Sequence, residues 1–242
     1  MKKFLILTAI VLSGFIINSV YAEQITVVTG EIIPYSYKLG DTQIGVGSDI
    51  VAEIAKRVSY TKKPVSLPWP RAIRNSLEDN TIIYPLARVP QRENQYLWIG
   101  PIVDDALVFY MRADDTRTFT NINELKDLRI GVLRAAPPGK KLEALGFTKL
   151  DFVSEEATNL KKLNKSRIDA WFSTQLICEF TIRKAGFDSN NYKLGLKDSE
   201  LVFYLGASKN IQPHTEKWQK ALDEMKKDGT HKKILIKNHI EN

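Results

Sequence analysis

The chain has 242 residues, with Lys+Arg 35 and Asp+Glu 28 for a formal net charge of +7, and 43% of its residues are hydrophobic. These proportions are those of a folded globular protein, so long disorder, collagen-like repeats and coiled-coil bias are excluded. The single cysteine, Cys178, rules out an intrachain disulfide and a cysteine-based zinc site. The basic excess raises nucleic acid or an anionic membrane as a partner until the location of the chain is known.

Met1-Lys2-Lys3 is a basic start, Phe4 to Ile17 is almost continuously apolar, and Val20-Tyr21-Ala22 places small residues where a signal peptidase reads them. An apolar stretch of about 14 residues falls short of the roughly 20 needed to span a bilayer, so a removed signal peptide is expected over residues 1–22 rather than an anchor. Cleavage before Glu23 takes Lys2 and Lys3 with it, lowering the charge from +7 to +5. No cysteine stands at the cleavage point to carry a lipid. The expectation is a soluble, exported protein of a Gram-negative periplasm, with no nucleic-acid partner.

Gln24 to Thr29 reads as a strand ended by Gly30, and Ser48-Asp49 as the cap of a helix with apolar stripe Ile50, Val51, Ile54 and Val58. Val65 to Leu67 is a second strand, Arg71 to Leu77 a helix, and Thr81 to Pro85 a third strand. A second unit follows with strands at Arg129–Leu133, within Phe147–Val153 and at Arg167–Phe172. Its helices open at Pro137, at Ser154 and at Gln175, the last stopped by Gly186. Thr215 to Lys227 is a final amphipathic helix ended by Gly229. Strands alternating with helices predict an α/β architecture with largely parallel sheets. Leu107-Val108-Phe109-Tyr110 and Leu201-Val202-Phe203-Tyr204 are identical, each preceded by acidic residues. They are either a coincidence of apolar strands or two crossover strands bounding an inserted unit. The second alternative makes two lobes with a ligand cleft between them.

The ordered pieces Pro34-Tyr35-Ser36-Tyr37, Gly45 to Val51, Pro68-Trp69, Val89-Pro90-Gln91-Arg92, Trp98-Ile99-Gly100-Pro101, Leu125 to Val132, Arg167 to Trp171 and Lys227-Asp228-Gly229-Thr230 run through the mature chain. In their order and spacing they resemble the bacterial periplasmic solute-binding proteins of the amino-acid-binding family (family 3). The resemblance implies a two-lobed type 2 periplasmic-binding-protein fold, with two mixed sheets flanked by helices and joined by two hinge strands. Lobe 1 would comprise residues 23–110 and 205–242, and lobe 2 residues 111–204. It further implies a monomer that captures a solute and passes it to an ABC-type permease of the inner membrane.

The resemblance also assigns candidate contacts. Arg92 matches the arginine that clamps the ligand carboxylate, a role suited to a planar guanidinium. The loop before it reads Pro85-Leu86-Ala87-Arg88, where relatives place hydroxyl residues; Arg88 either compensates or faces solvent. Trp69 either stacks on the ligand or belongs to the core, and Arg71 either meets an anion or is solvated. Among Glu31, Tyr35 and Tyr37, which follow the first strand, one aromatic is expected to line the cleft. In lobe 2, relatives carry a Gly-Thr pair where this chain has Arg134-Ala135-Ala136-Pro137-Pro138, and an acidic residue for the ligand ammonium where it has Thr174. Without that acid an α-ammonium is poorly compensated. The arginines Arg71, Arg88, Arg92 and Arg134 point instead to an acidic ligand.

The expected function is therefore a non-enzymatic periplasmic binding protein for a small carboxylate-bearing ligand, without metal or cofactor. His214, His231 and His239 lack ligand spacing, and Cys178 sits among apolar residues as a buried thiol. Two alternatives stand beside it. One is an enzyme on the same scaffold resembling cyclohexadienyl dehydratases, for which Glu31 is the available general acid. The other is a sensor or interaction module with a degenerate pocket.

Overall fold

The computed structural model describes residues 25–134 and 136–240, so the expected signal peptide lies outside the described residues. Strand β1 (Thr26–Thr29) leads to a hairpin of β2 (Tyr37–Leu39) and β3 (Thr42–Ile44), then helix α1 (Val46–Arg57), β4 (Val65–Ser66), α2 (Trp69–Asn75) and β5 (Thr81–Ala87). The long strand β6 (Leu97–Arg112) crosses to β7 (Ile130–Leu133), α3 (Pro137–Ala144), β8 (Leu150–Val153), α4 (Glu156–Asn164), β9 (Ala170–Thr174) and α5 (Gln175–Lys184). An equally long strand, β10 (Tyr192–Ala207), returns to α6 (Gln212–Lys227) and α7 (Thr230–Lys237).

The strand order is β4-β1-β5-β10-β6-β9-β7-β8. Within the first half β1 pairs in parallel with β4 and β5; within the second, β7 pairs in parallel with β8 and β9. Between them β6 and β10 run antiparallel from Tyr192 opposite Arg112 to Ala207 opposite Leu97. The two expected sheets thus share one central pair and join into a single ladder of eight strands. Each Leu-Val-Phe-Tyr echo lies on one of the two central strands. Leu107 faces Ser199 and Leu201 faces Asp105, so both echoes flank the stretch where the outer neighbours of the central pair change from β5 to β9.

Parallel strands are covered on both faces, which their near-continuous apolar runs require. Val27, Ile82 and Tyr84 point into a cluster with Ile50 and Ile54 of α1 and Trp218, Leu222 and Met225 of α6. Val28, Ile83 and Leu86 point the other way, under Ala72 of α2. The second half repeats the plan: Leu160, Leu163, Trp171, Cys178 and Ile182 fill one side, and Phe109, Ile130, Val132, Leu142 and Phe172 the other. Cys178 is fully buried and its thiol is pushed well up by that burial, as befits an inert core residue.

Several local expectations are corrected. The N-cap of helix α1 is Gly45, three residues before the predicted Ser48, and neither Ser48 nor Asp49 caps it. Its first amides donate instead to backbone carbonyls, Val46 N to Pro34 O at 3.3 Å and Gly47 N to Tyr35 O at 2.8 Å. That frees Ser48 to donate to Ser36 Oγ and Asp49 to receive Lys237 and Asn238 of the C-terminal helix. Strand β9 begins at Ala170 rather than Arg167, because Asp169 is tied into a turn by Arg129 through its amide at 2.8 Å and its guanidinium at 2.9 and 3.0 Å. The later start carries the strand on to Ser173 and Thr174. Helix α7 was not anticipated: left-handed Gly229 ends α6, and the Asp228 carboxylate receives Thr230 N at 2.9 Å to open the new helix.

Candidate functional site

Loops after the carboxyl ends of parallel strands are where α/β sheets present ligand contacts. Here the loop after β1 carries Glu31 and Tyr35 and runs into β2 at Tyr37, the loop after β5 carries Arg88 and Arg92, Arg134 follows β7, and Thr174 is the last residue of β9. Trp69 and Arg71 stand at the start of α2, directly after β4.

One junction between the two halves is polar. Tyr35 has no exposed surface; its ring packs on Phe203 with centroids 4.4 Å apart, and its hydroxyl reaches both the Asp105 carboxylate and Thr174 Oγ1, the latter at 2.8 Å. Asp105 Oδ1 accepts from Ala106 N at 2.7 Å and Leu176 N at 3.3 Å. Thr174 is also the N-cap of α5, with Oγ1 accepting from Ile177 N at 3.4 Å. One hydroxyl therefore ties the turn after β1 to the crossing strand β6 and to the first turn of α5. Burial holds the Asp105 carboxyl above its ordinary value, against the pull of the Tyr35 hydroxyl and two amides. Burial, then the neighbouring Asp105 charge, holds the Tyr35 phenol well above its own. Tyr35 and Thr174, two expected ligand contacts, are thus brought together, but they face each other rather than an open space.

The arginines separate into different roles. Arg88 is exposed, and its guanidinium pairs with Glu93 (Nε to Oε2 2.9 Å) while lying 5.4 Å from the Trp98 ring centroid and 5.3 Å from that of Tyr204. Arg92, on the 3₁₀ turn Pro90–Arg92, is half-buried and donates to Ala87 O at 3.3 Å. No carboxylate among the described residues lies within ion-pair distance of it, since the adjacent Glu93 is taken by Arg88. Burial lowers its pKa from the usual guanidinium value. Arg71 is exposed, and Arg134 is exposed with Nη2 donating to Phe152 O at 3.4 Å.

Trp69 is half-buried. Its ring lies so close to Gly30 that a Cβ there would come within 2.8 Å, and it packs on the cluster of Val28, Ala72 and Ile83. Glu31 is exposed. Tyr37 is half-buried and meets Phe180 of α5 edge-on, with centroids 5.9 Å apart.

Two buried carboxyl groups were not anticipated. Asp105 is the first; the pair Asp104-Asp105 interrupting the apolar run of β6 is the signal that marks it. The second is Glu156 at the start of α4, which accepts from Trp171 Nε1 at 2.8 Å, Ser173 Oγ at 3.0 Å and Asn159 Nδ2 at 3.0 Å, and whose carboxyl is raised by burial. Among the described residues no cluster of three or more His, Cys, Asp or Glu is placed to hold a metal ion, and no helix is long and apolar enough to cross a membrane.

Comparison with known proteins places this arrangement. The family model for bacterial extracellular solute-binding proteins, family 3, matches residues 25–239. A Bacillus subtilis (strain 168) relative, "Probable amino-acid-binding protein YxeM", is 22% identical over 86% of this chain and 81% of its own length. Among solved structures, a histidine kinase sensor domain with similarity to periplasmic binding proteins superposes with a TM-score of 0.72 at 15% identity, covering 88% of this chain and 95% of that one. An ancestral arginine-binding protein bound to arginine superposes with a TM-score of 0.69 at 19% identity, covering 88% and 96%. The structural likenesses carry the two-lobed fold, and the family match spans nearly all of it. The chain belongs to the bacterial extracellular solute-binding proteins of family 3.

Proposed function

We propose that this protein captures a small carboxylate-bearing solute in the cleft between its lobes, with Arg92 as the carboxylate clamp, and hands it to an ABC-type importer of the inner membrane. The observation that carries the reading is Arg92 itself: a half-buried guanidinium whose neighbouring acid is already committed to Arg88. A desolvated cation is costly unless an anion meets it, and a carboxylate does so through two parallel hydrogen bonds. Arg88 serves indirectly, keeping Glu93 away from the clamp. Glu31, Trp69 and Arg71 border the same lobe, and Arg134 approaches from residues 111–204 when that lobe closes on residues 23–110 and 205–242.

The Bacillus subtilis relative is named a probable amino-acid-binding protein, and one structural neighbour is an arginine-binding protein bound to arginine. In this chain Thr174 stands where an ammonium-pairing acid is expected, and its hydroxyl is engaged by Tyr35. An organic acid without an α-amino group needs no such partner, so mono- and dicarboxylates are the favoured class. The role is that of a periplasmic, monomeric binding protein rather than an enzyme.

Thermal-shift and calorimetric titration of residues 23–242 against amino acids, dicarboxylates and monocarboxylates tests this. One class should give saturable stabilisation, absent in Arg92→Ala and weakened about tenfold in Arg92→Lys, which keeps the charge but loses the fork. A response unchanged in Arg92→Ala, or none from any class, overturns the reading. Consumption of prephenate would replace it with the enzymatic alternative.

A further inference from the structure

A cavity of about 190 Å³ lies away from Arg92, on the flank of the Tyr35 junction. Its walls come from both lobes. Pro34 and Tyr37 bracket Tyr35 in the first, Phe180 and Arg183 project from α5 in the second, and Lys237 and Ile240 close it from the C-terminal end of the chain. Of the candidate ligand contacts, only Tyr37 lines it.

The chemistry of this lining is one-sided. Pro34, the Tyr37 and Phe180 rings and Ile240 offer flat apolar surface, while Arg183 and Lys237 supply positive charge, and no carboxylate is among the lining residues. Lys237 is already paired with Asp49 at 2.9 Å. Arg183 is exposed and has no ion-pair partner among the described residues. Glu179 stands one turn before it on α5 but receives Gln175 Nε2 at 2.7 Å instead. From these features we infer that the cavity is a second binding site, for a small organic anion with a flat apolar body, its acid group held by Arg183 and its ring lying against Pro34, Tyr37 and Phe180.

Position gives the site a consequence. Tyr37 touches Phe180 across the seam, and Leu176, also in the lining, donates its amide to Asp105. A ligand wedged here contacts both lobes at once. It favours whichever separation of the lobes fits it best, and the coupling to the cleft is reciprocal.

The probe is 4-fluorobenzoate, followed by ¹⁹F NMR line width and by hydrogen exchange at the Leu176 amide. Saturable broadening is expected in the native protein, with slower exchange at Leu176. Arg183→Glu, on an exposed position, should weaken binding at least about tenfold, the equivalent of one charge-assisted contact. Arg183→Lys should retain most of it. Arg92→Ala should leave it intact, which separates this site from the cleft. The proposal is overturned if no saturable binding occurs, if Arg183→Glu binds like the native chain, or if Arg92→Ala abolishes binding.

Discussion

Asp105 shows how one side chain organises the junction and what it costs. Its carboxylate collects a phenol, two backbone amides and the neighbourhood of Thr174, with no cation within ion-pair distance among the described residues. Because burial raises its pKa, the folded chain holds this proton more tightly than the unfolded chain does. Its contribution to stability is therefore complete below the unfolded value of about 3.9 and is lost as pH climbs through the folded one. Urea unfolding at stepped pH should show Asp105→Asn gaining on the native protein across that window and then holding a constant lead or deficit. A pH-independent difference would mean that the group is not held out of its ordinary range. Arg92 could be proposed from its motif, as a single charged residue at a fixed spacing. Asp105 could not, because its partners lie 70 and 71 residues away and no local pattern announces them.

At the level of elements, what the sequence disclosed were segments whose patterns are local. The α1 stripe and the apolar runs of β1, β5 and β7 appear where their periodicity placed them, because burial on both faces leaves an unbroken signature. The long central strands were seen only as four-residue echoes, since Asp104-Asp105 and Lys197-Asp198-Ser199 break their apolar runs in mid-course. The start of α1 was misplaced for a related reason. Its amides are satisfied by the carbonyls of Pro34 and Tyr35, which no side-chain capping rule can find. Gly45 makes that docking possible: its φ is +111°, and a Cβ there would lie 2.5 Å from Pro34 O. Gly45→Ala should lower unfolding free energy by about 2–4 kcal/mol. Gly40→Ala, at φ +59° with open space around it, should cost only about 1–2 kcal/mol, as read by the shift in denaturant midpoint. Equal costs at the two glycines would show that the turn does not bear on the helix.

On the scale of the whole molecule, β6 and β10 belong to both halves, and each half has its own hydrophobic clusters on either side of them. Neither half can lose these strands without opening the other. Calorimetry should therefore record one transition, with van't Hoff and calorimetric enthalpies in agreement. Two resolved transitions would show that the lobes unfold separately in spite of the shared ladder. The same interleaving sets a timetable for biosynthesis. β5 finds its second neighbour only in β10, more than a hundred residues later, and α6 and α7 follow later still. A ribosome must release nearly the entire chain before the N-terminal half can close. Such non-local pairing is slow to form. For a member of an extracellular family that delay is useful, because a chain that has not yet shut can still be threaded across a membrane.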